Sequence, residues 1–205
     1  MAIRNLIFDL GGVLYAIDNQ RSYRAFRALV PAAVRPHYPA HPGEVAAHPI
    51  FREFEKGSVS PAEFREHFRR QYGITAMDED IDAAWNALLI GVIPGRIADL
   101  RTLAERYRLV LLSNTNVIHV DHFREDVGEL FACFPHRYLS FEMGMRKPDA
   151  EIFSYVLECE KIIAEETLFI DDTPENITGA AQLGIQTYHY DEMSGRRWGS
   201  LLSLI

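Results

Sequence analysis

The stretch Ile3-Arg4-Asn5-Leu6-Ile7-Phe8-Asp9-Leu10-Gly11-Gly12 decides the fold. Residues 3–8 read as a strand largely buried on both faces. A short apolar run of this kind is what the centre of a parallel sheet requires. Gly11 and Gly12 then break the strand and leave the Asp9 carboxylate at its end. A carboxylate there is poorly solvated unless a cation meets it. The glycines let the backbone turn sharply and approach a ligand closely.

Similar apolar runs recur at Leu109–Leu112, Thr167–Ile170 and Ile185–His189, with a weaker one at Arg137–Ser140. Helical patterns separate them. From Pro94 to Tyr107, the residues Ile97, Leu100, Leu103, Ala104 and Tyr107 share one face. From Pro148 to Glu158 the buried face is Ile152, Phe153, Val156 and Leu157. From Pro174 to Leu183 a helix ends at Gly184, a suitable residue just past a helix. Strands alternating with helices predict an α/β fold: a Rossmann-like open parallel sheet flanked by helices.

Residues 15–91 break that rhythm and read as helices alone. Tyr23, Phe26 and Val30 mark one, Phe64, Phe68 and Tyr72 another, and Ile81, Trp85, Leu88 and Leu89 a third. Phe51 and Phe54 mark a short fourth. Pro31–Pro49, rich in Pro, His and Ala, reads as a long connection. The expected organisation is a core of residues 1–14 and 92–205 with an inserted helical cap subdomain of residues 15–91.

The chain has 205 residues, 48% hydrophobic and 24% charged, with a net charge of −8. That composition supplies a real core. The acidic balance argues against nucleic acid or an anionic membrane surface as the main partner. An anionic substrate would have to be met locally. Two cysteines, Cys133 and Cys159, are too few for a disulfide framework. The N-terminus lacks the length and cleavage site of a signal peptide. No apolar segment reaches about 18 residues, so no membrane span is expected. The expected compartment is cytoplasmic.

Four stretches fall where an open α/β sheet places its site, beyond the carboxyl ends of its strands. Asp9 is the first. The second is Ser113-Asn114-Thr115, a hydroxyl and amides able to hold phosphoryl oxygens. The third is Arg146-Lys147-Pro148-Asp149, where a Lys precedes a helix start and can neutralise both Asp9 and an anion. The fourth is Asp171-Asp172-Thr173-Pro174-Glu175-Asn176. Two adjacent carboxylates are costly without compensation, and such hard oxygens suit Mg²⁺. Each stretch alone has a plain structural reading: a strand-end turn, a helix N-cap, or a solvated surface Lys. Their order and shared placement carry the signal.

In that order and spacing the chain resembles the haloacid dehalogenase-like hydrolase superfamily over nearly its whole length. The resemblance implies that Asp9 is phosphorylated by substrate, that Ser113 binds the phosphoryl group and that Lys147 balances charge. It further implies that Asp171 and Asp172 hold Mg²⁺ with Asp9 and the backbone carbonyl of Gly11, Asp172 matching the usual ligand best. Asn114, Asn116 and the backbone at Gly12 are the expected substrate contacts. The insert resembles the cap of the subgroup of haloacid dehalogenases, sugar-phosphate phosphatases and the amino-terminal domain of soluble epoxide hydrolase. Asp9-Leu-Gly-Gly, Ser113-Asn114-Thr115-Asn116 and Arg146-Lys147-Pro148-Asp149 look closest to bacterial glucose-1-phosphate phosphatase-like members. The expectation is a Mg²⁺-dependent phosphatase, monomeric or homodimeric, acting on a small phosphorylated metabolite such as a sugar phosphate.

Two positions depart from that pattern. The family's second Asp, its general acid and base, is replaced by Gly11. Acid–base assistance is worth about 10²–10⁴-fold in rate. The expected compensation is a good leaving group, or water or a substrate group as proton source. Asn176 stands where many relatives carry an acid; it can still bind a metal-bound water. Two alternatives remain at this level: a metal-independent 2-haloacid dehalogenase using Asp9 on carbon, and a non-catalytic phosphometabolite-binding protein. His37, His41 and His48 are spaced too irregularly for a metal site and read as a polar cap loop. His119 and Asn116 read equally as contacts to the substrate or the cap, or as helix-surface positions. Trp198 and Leu201–Ile205 read as a last segment docked on the core, with a dimer contact as the alternative.

Overall fold

A computed structural model describes residues 2–192, 195 and 197–205. Met1, Met193, Ser194 and Arg196, which the expected core ranges include, lie outside the described residues. The first strand, β1 (Asn5–Phe8), is followed by β2 (Tyr15–Ile17). Five helices come next: α1 (Asn19–Leu29), α2 (Pro42–Ala46), α3 (Pro49–Glu55), α4 (Pro61–Tyr72) and α5 (Asp78–Asn86). Strand β3 (Leu89–Val92) closes this segment. Then follow α6 (Arg96–Ala104), β4 (Arg108–Ser113), α7 (Val117–Phe123), α8 (Gly128–Phe131), β5 (His136–Leu139), α9 (Ser140–Met143) and α10 (Ala150–Glu160). The chain finishes through β6 (Thr167–Asp171), α11 (Pro174–Ala181), β7 (Gln186–His189) and α12 (Trp198–Leu204).

Five strands form one parallel sheet in the order β5-β4-β1-β6-β7. β1 lies at the centre, with Phe8 paired to Leu111 on one side and to Ile170 on the other. The chain steps one way from β1 to β4 and β5, then returns to the other side for β6 and β7. The reversal falls between β1 and β6, which is where open α/β sheets leave their binding crevice.

Alternation along the strands separates two apolar layers. Leu6, Phe8, Leu109 and Leu111 pack on one face with Phe134, Trp198 and Leu201. Ile7, Val110, Leu112 and Phe169 pack on the other with Ile152, Phe153 and Val156. Trp198 docks α12 behind the site. Its ring lies 5.9 Å from that of Phe8, Arg96 stacks on it at 3.8 Å, and its indole N–H donates to Asp99 at 2.6 Å.

The helical segment has its own aromatic core of Phe26, Phe51, Phe54, Phe64, Phe68 and Trp85. Phe26 stacks on Phe68 at 4.4 Å and Phe54 on Phe64 at 4.2 Å. Helix α4 starts at a capping box in which Ser60 and Glu63 exchange bonds, and it stops at Gly73 with φ 65°.

The segment is not helices alone. Tyr15 pairs with Val92 and Ile17 with Leu89, so β2 and β3 form an antiparallel ribbon at its base. Strands this short, one carrying Gly91, give no readable alternation. Pro31–Pro49 is likewise not a plain connection. It holds a 3₁₀ turn at Arg35–His37 and the short helix α2, both started by proline. His48 caps α3, its Nδ1 accepting from the Ile50 N–H at 3.2 Å. Both cysteines are free thiols.

Candidate active site

Asp9 follows β1 directly, and its N–H still donates to Ile170 O at 2.9 Å. The chain then folds into a tight turn in which Leu14 and Tyr15 donate to Leu10 O. Gly12 in this turn has φ +75°, and a Cβ there would overlap the Asp172 carboxylate. Position 12 must be glycine for the Asp9 turn and the Asp172 carboxylate to meet. Its N–H is taken by Tyr15 O, so its contribution to the site is the space it leaves for Asp172.

Lys147 is 1% exposed. Its ammonium donates to Asp9 Oδ1 at 2.8 Å, to Asp171 Oδ2 at 2.7 Å and to Leu112 O at 2.9 Å. Three donors meet three acceptors, so the head is fully satisfied. The solvated surface reading of Lys147 is therefore wrong. Its backbone is fixed as well: Lys147 N donates to Asn114 Oδ1, and Asn114 Nδ2 donates to Lys147 O, both at 2.9 Å. The Asn114 side chain thus clamps the Lys147 backbone, a use the sequence reading did not assign to it.

Asp9, Asp171 and Asp172 offer oxygens that all lie within 4.8 Å of one another. Three carboxylates face one ammonium. Burial pushes the Asp9 carboxyl up to about 8, against the pull of Lys147 and with the push of Asp171 and Asp172. Burial and Asp171 raise Asp172 also. Lys147 is opposed by its own burial, yet Asp171 and Asp9 raise it overall. The cluster carries more negative charge than its protein partners offset, on hard oxygens only. This is the donor chemistry Mg²⁺ takes.

Within that cluster the carboxylates differ. Asp171 is fully buried, and both its oxygens are engaged. Oδ1 accepts from Thr173 N at 2.8 Å and Asn176 Nδ2 at 3.1 Å; Oδ2 accepts from Lys147 and from Asn176 at 3.0 Å. Asp171 therefore anchors Lys147, and the Asn176 amide is spent on Asp171. Asp172 accepts from Thr173 Oγ1 at 3.3 Å and turns its other oxygen toward Gly12. Asp9 and Asp172 are the carboxylates best placed to hold a cation, with the Gly11 carbonyl in the turn between them.

Ser113 ends β4 and lines a cavity of about 460 Å³ between the sheet and the helical segment. Asn114, Asn116 and Arg146 line it from below, and Glu55 and Trp85 from above. Asn116 and His119 are buried, which corrects the helix-surface reading. Asn116 caps α7, its Oδ1 accepting from His119 N at 3.1 Å and from Trp85 Nε1 at 3.3 Å. His119 stacks on Trp85 at 4.6 Å and bonds Asn86 Oδ1 at 2.8 Å. Burial and His122 push its imidazole down to about 3.

The sequence reading passed over Glu55. Its Oε2 accepts from Arg146 Nε at 2.9 Å and forms an ion pair with Nη2 at 2.9 Å, tying α3 to the loop that carries Lys147. A lone charge on an aromatic-rich helix resembles a solvated position; only its place directly after Phe54, on the buried stripe, hints otherwise.

Comparison with known proteins agrees with this geometry. The family model of the haloacid dehalogenase-like hydrolases matches residues 3–184. D-ribitol-5-phosphate phosphatase of Bacteroides thetaiotaomicron is 30% identical over 99% of this chain and 98% of its own. A haloacid dehalogenase family enzyme of the same organism, solved in complex with magnesium and inorganic phosphate, is 36% identical with TM-score 0.81, covering 98% of this chain and 99% of that one. A structure from Porphyromonas gingivalis described as a predicted HAD-like family hydrolase is 32% identical with TM-score 0.83, covering 100% and 98%. With the sheet order, the four strand-end motifs and these likenesses in agreement, the chain belongs to the haloacid dehalogenase-like hydrolases.

Proposed function

We propose that the protein is a Mg²⁺-dependent phosphatase that hydrolyses a small phosphorylated metabolite through an aspartyl phosphate at Asp9. The observation that carries this reading is the Lys147 ammonium held between Asp9 and Asp171, with Asp172 beside the Asp9 turn. A polyol or sugar phosphate is the substrate class supported by the D-ribitol-5-phosphate phosphatase likeness. We assign residues 15–91 to a cap and residues 1–14 and 92–205 to the core that carries the chemistry.

Asp9, Asp172 and the Gly11 carbonyl would hold the metal. Magnesium, when bound, supplies positive charge that keeps Asp9 ionised and screens the phosphoryl oxygens. Lys147 fixes the Asp9 carboxylate and offsets part of its repulsion from the incoming dianion. Asp9 attacks phosphorus in line with the departing oxygen. Ser113 and the backbone N–H of Asn114 meet the equatorial oxygens, over which transition-state charge is spread. Water then releases phosphate from Asp9. The cap closes the cavity, excludes bulk water and selects the organic group.

The test is turnover of D-ribitol 5-phosphate and related phosphomonoesters with Mg²⁺, with Asp9→Asn and chelated enzyme as controls. Both controls should be inactive, and beryllium fluoride should inhibit the wild type only with Mg²⁺ present. Turnover surviving in Asp9→Asn would remove the proposed nucleophile. Release of halide from 2-haloacids without metal would favour the dehalogenase chemistry instead.

A further inference from the structure

We propose that Glu55, delivered by the cap, is the general acid and base of this enzyme and takes the role that Gly11 leaves vacant. This rests on the phosphatase reading. The cavity that opens at Gly11 and Ser113, beside the Asp9 turn, is lined by few groups able to exchange a proton: Tyr15, Tyr23, Tyr38, Glu55 and His119. Tyr15 donates to Asp126, and burial with that carboxylate pushes it up to about 12. Tyr38 is pushed up by burial too. The Tyr23 hydroxyl faces the carbonyls of Pro39 and Ala40. His119 is held neutral, with nothing to give at neutral pH. Lys147 has spent all three N–H bonds.

Glu55 differs from each of these. Both Arg146 contacts converge on Oε2, so Oε1 has no hydrogen-bond partner among the described residues. The side chain keeps 25% of its surface open, enough for a ligand to reach. Arg146 precedes Lys147, so Glu55 is anchored one residue from the group that holds the nucleophile. Arg146 and Lys147 face it from the core loop, and Arg52 from its own helix. Helix α9, which packs against α3, carries Glu142 as its ionisable group. Burial raises the Glu55 carboxyl in spite of these cations. A phosphate dianion in the cavity would raise it further.

In the first step Asp9 forms a bond to phosphorus, the bond to the leaving oxygen breaks, and Glu55 gives its proton to that oxygen. In the second step water attacks the aspartyl phosphate and gives a proton to the Glu55 carboxylate. Phosphate leaves, and Asp9 and the Glu55 carboxyl are restored.

The experiment compares wild type, Glu55→Gln and Arg146→Gln on D-ribitol 5-phosphate and on p-nitrophenyl phosphate, across pH, with Mg²⁺. An alkoxide needs the proton and a nitrophenolate does not. Glu55→Gln should lower kcat about 100-fold on the alkyl ester and by less than about threefold on the aryl ester. It should also remove the basic limb of the alkyl pH profile. Arg146→Gln should keep that limb and move it to higher pH, because a cation has gone from beside the carboxyl. Equal losses on both esters, or an unchanged limb in Glu55→Gln, would overturn the assignment and leave Glu55 a cap tether. A wild type inactive on both esters would instead sink the phosphatase reading, and this role with it.

Discussion

A methyl group at position 12 would enter the space of the Asp172 carboxylate, on a backbone already in the left-handed region. Gly12→Ala should therefore lower Mg²⁺ affinity at least tenfold by calorimetry. It should also cost about 1–2 kcal/mol of stability from the backbone alone. Position 11 behaves differently. A Cβ there would meet only Ile17, at 3.6 Å, an ordinary contact. Gly11→Asp should fold, and it should restore turnover of alkyl phosphates in the Glu55→Gln background, where the cap-borne acid is gone. Lys147→Ala would strand two buried carboxylates, and chemical denaturation should show a loss of about 3–5 kcal/mol in metal-free protein. His119 gives a pH signature. Its folded value is near 3 against an ordinary 6.5, so the unfolded chain binds the proton more readily. Its contribution to stability is present above pH 6.5 and is lost as pH falls toward 3. His119→Gln should flatten that part of the urea-unfolding profile. Asp9 and Ser113 were legible because a polar residue directly after an apolar strand stands out. The Asn114 clamp was not, because its partner is 33 positions away and nothing local marks the pair.

At the scale of elements, the parallel strands could be read because residues buried on both faces leave continuous apolar runs. Helices α1, α4 and α5 could be read because their large apolar and aromatic residues return to one face every three or four positions. The β2–β3 ribbon could not, since three or four residues with a glycine satisfy no periodic rule. Helix α4 shows how much a local signal fixes. Ser60 receives the Glu63 N–H, and Glu63 Oε2 receives the Ser60 N–H at 2.8 Å. Ser60→Ala should cost about 1 kcal/mol in thermal unfolding, with kcat on any substrate unchanged, because α4 touches the cavity at no residue.

At the scale of the molecule, two apolar layers sandwich the sheet and a separate aromatic cluster fills the cap, so the cavity between them is a seam with its own polar lining. Among the described residues no helix is long and apolar enough to cross a membrane. The seam is where the sequence was least legible: Trp85, Glu55 and Arg146 belong to segments that meet only in the folded chain. The parallel pairing has a kinetic consequence. Lys147 and Asp9 stand 138 positions apart in the chain, and β1 finds its partners only in β4 and β6. The cap's aromatic contacts, such as Phe54 with Phe64 and Phe26 with Phe68, close shorter loops. Loops as large as those of the sheet close late, and contact order sets the pace. A refolding chain should regain helical signal first and affinity for magnesium last.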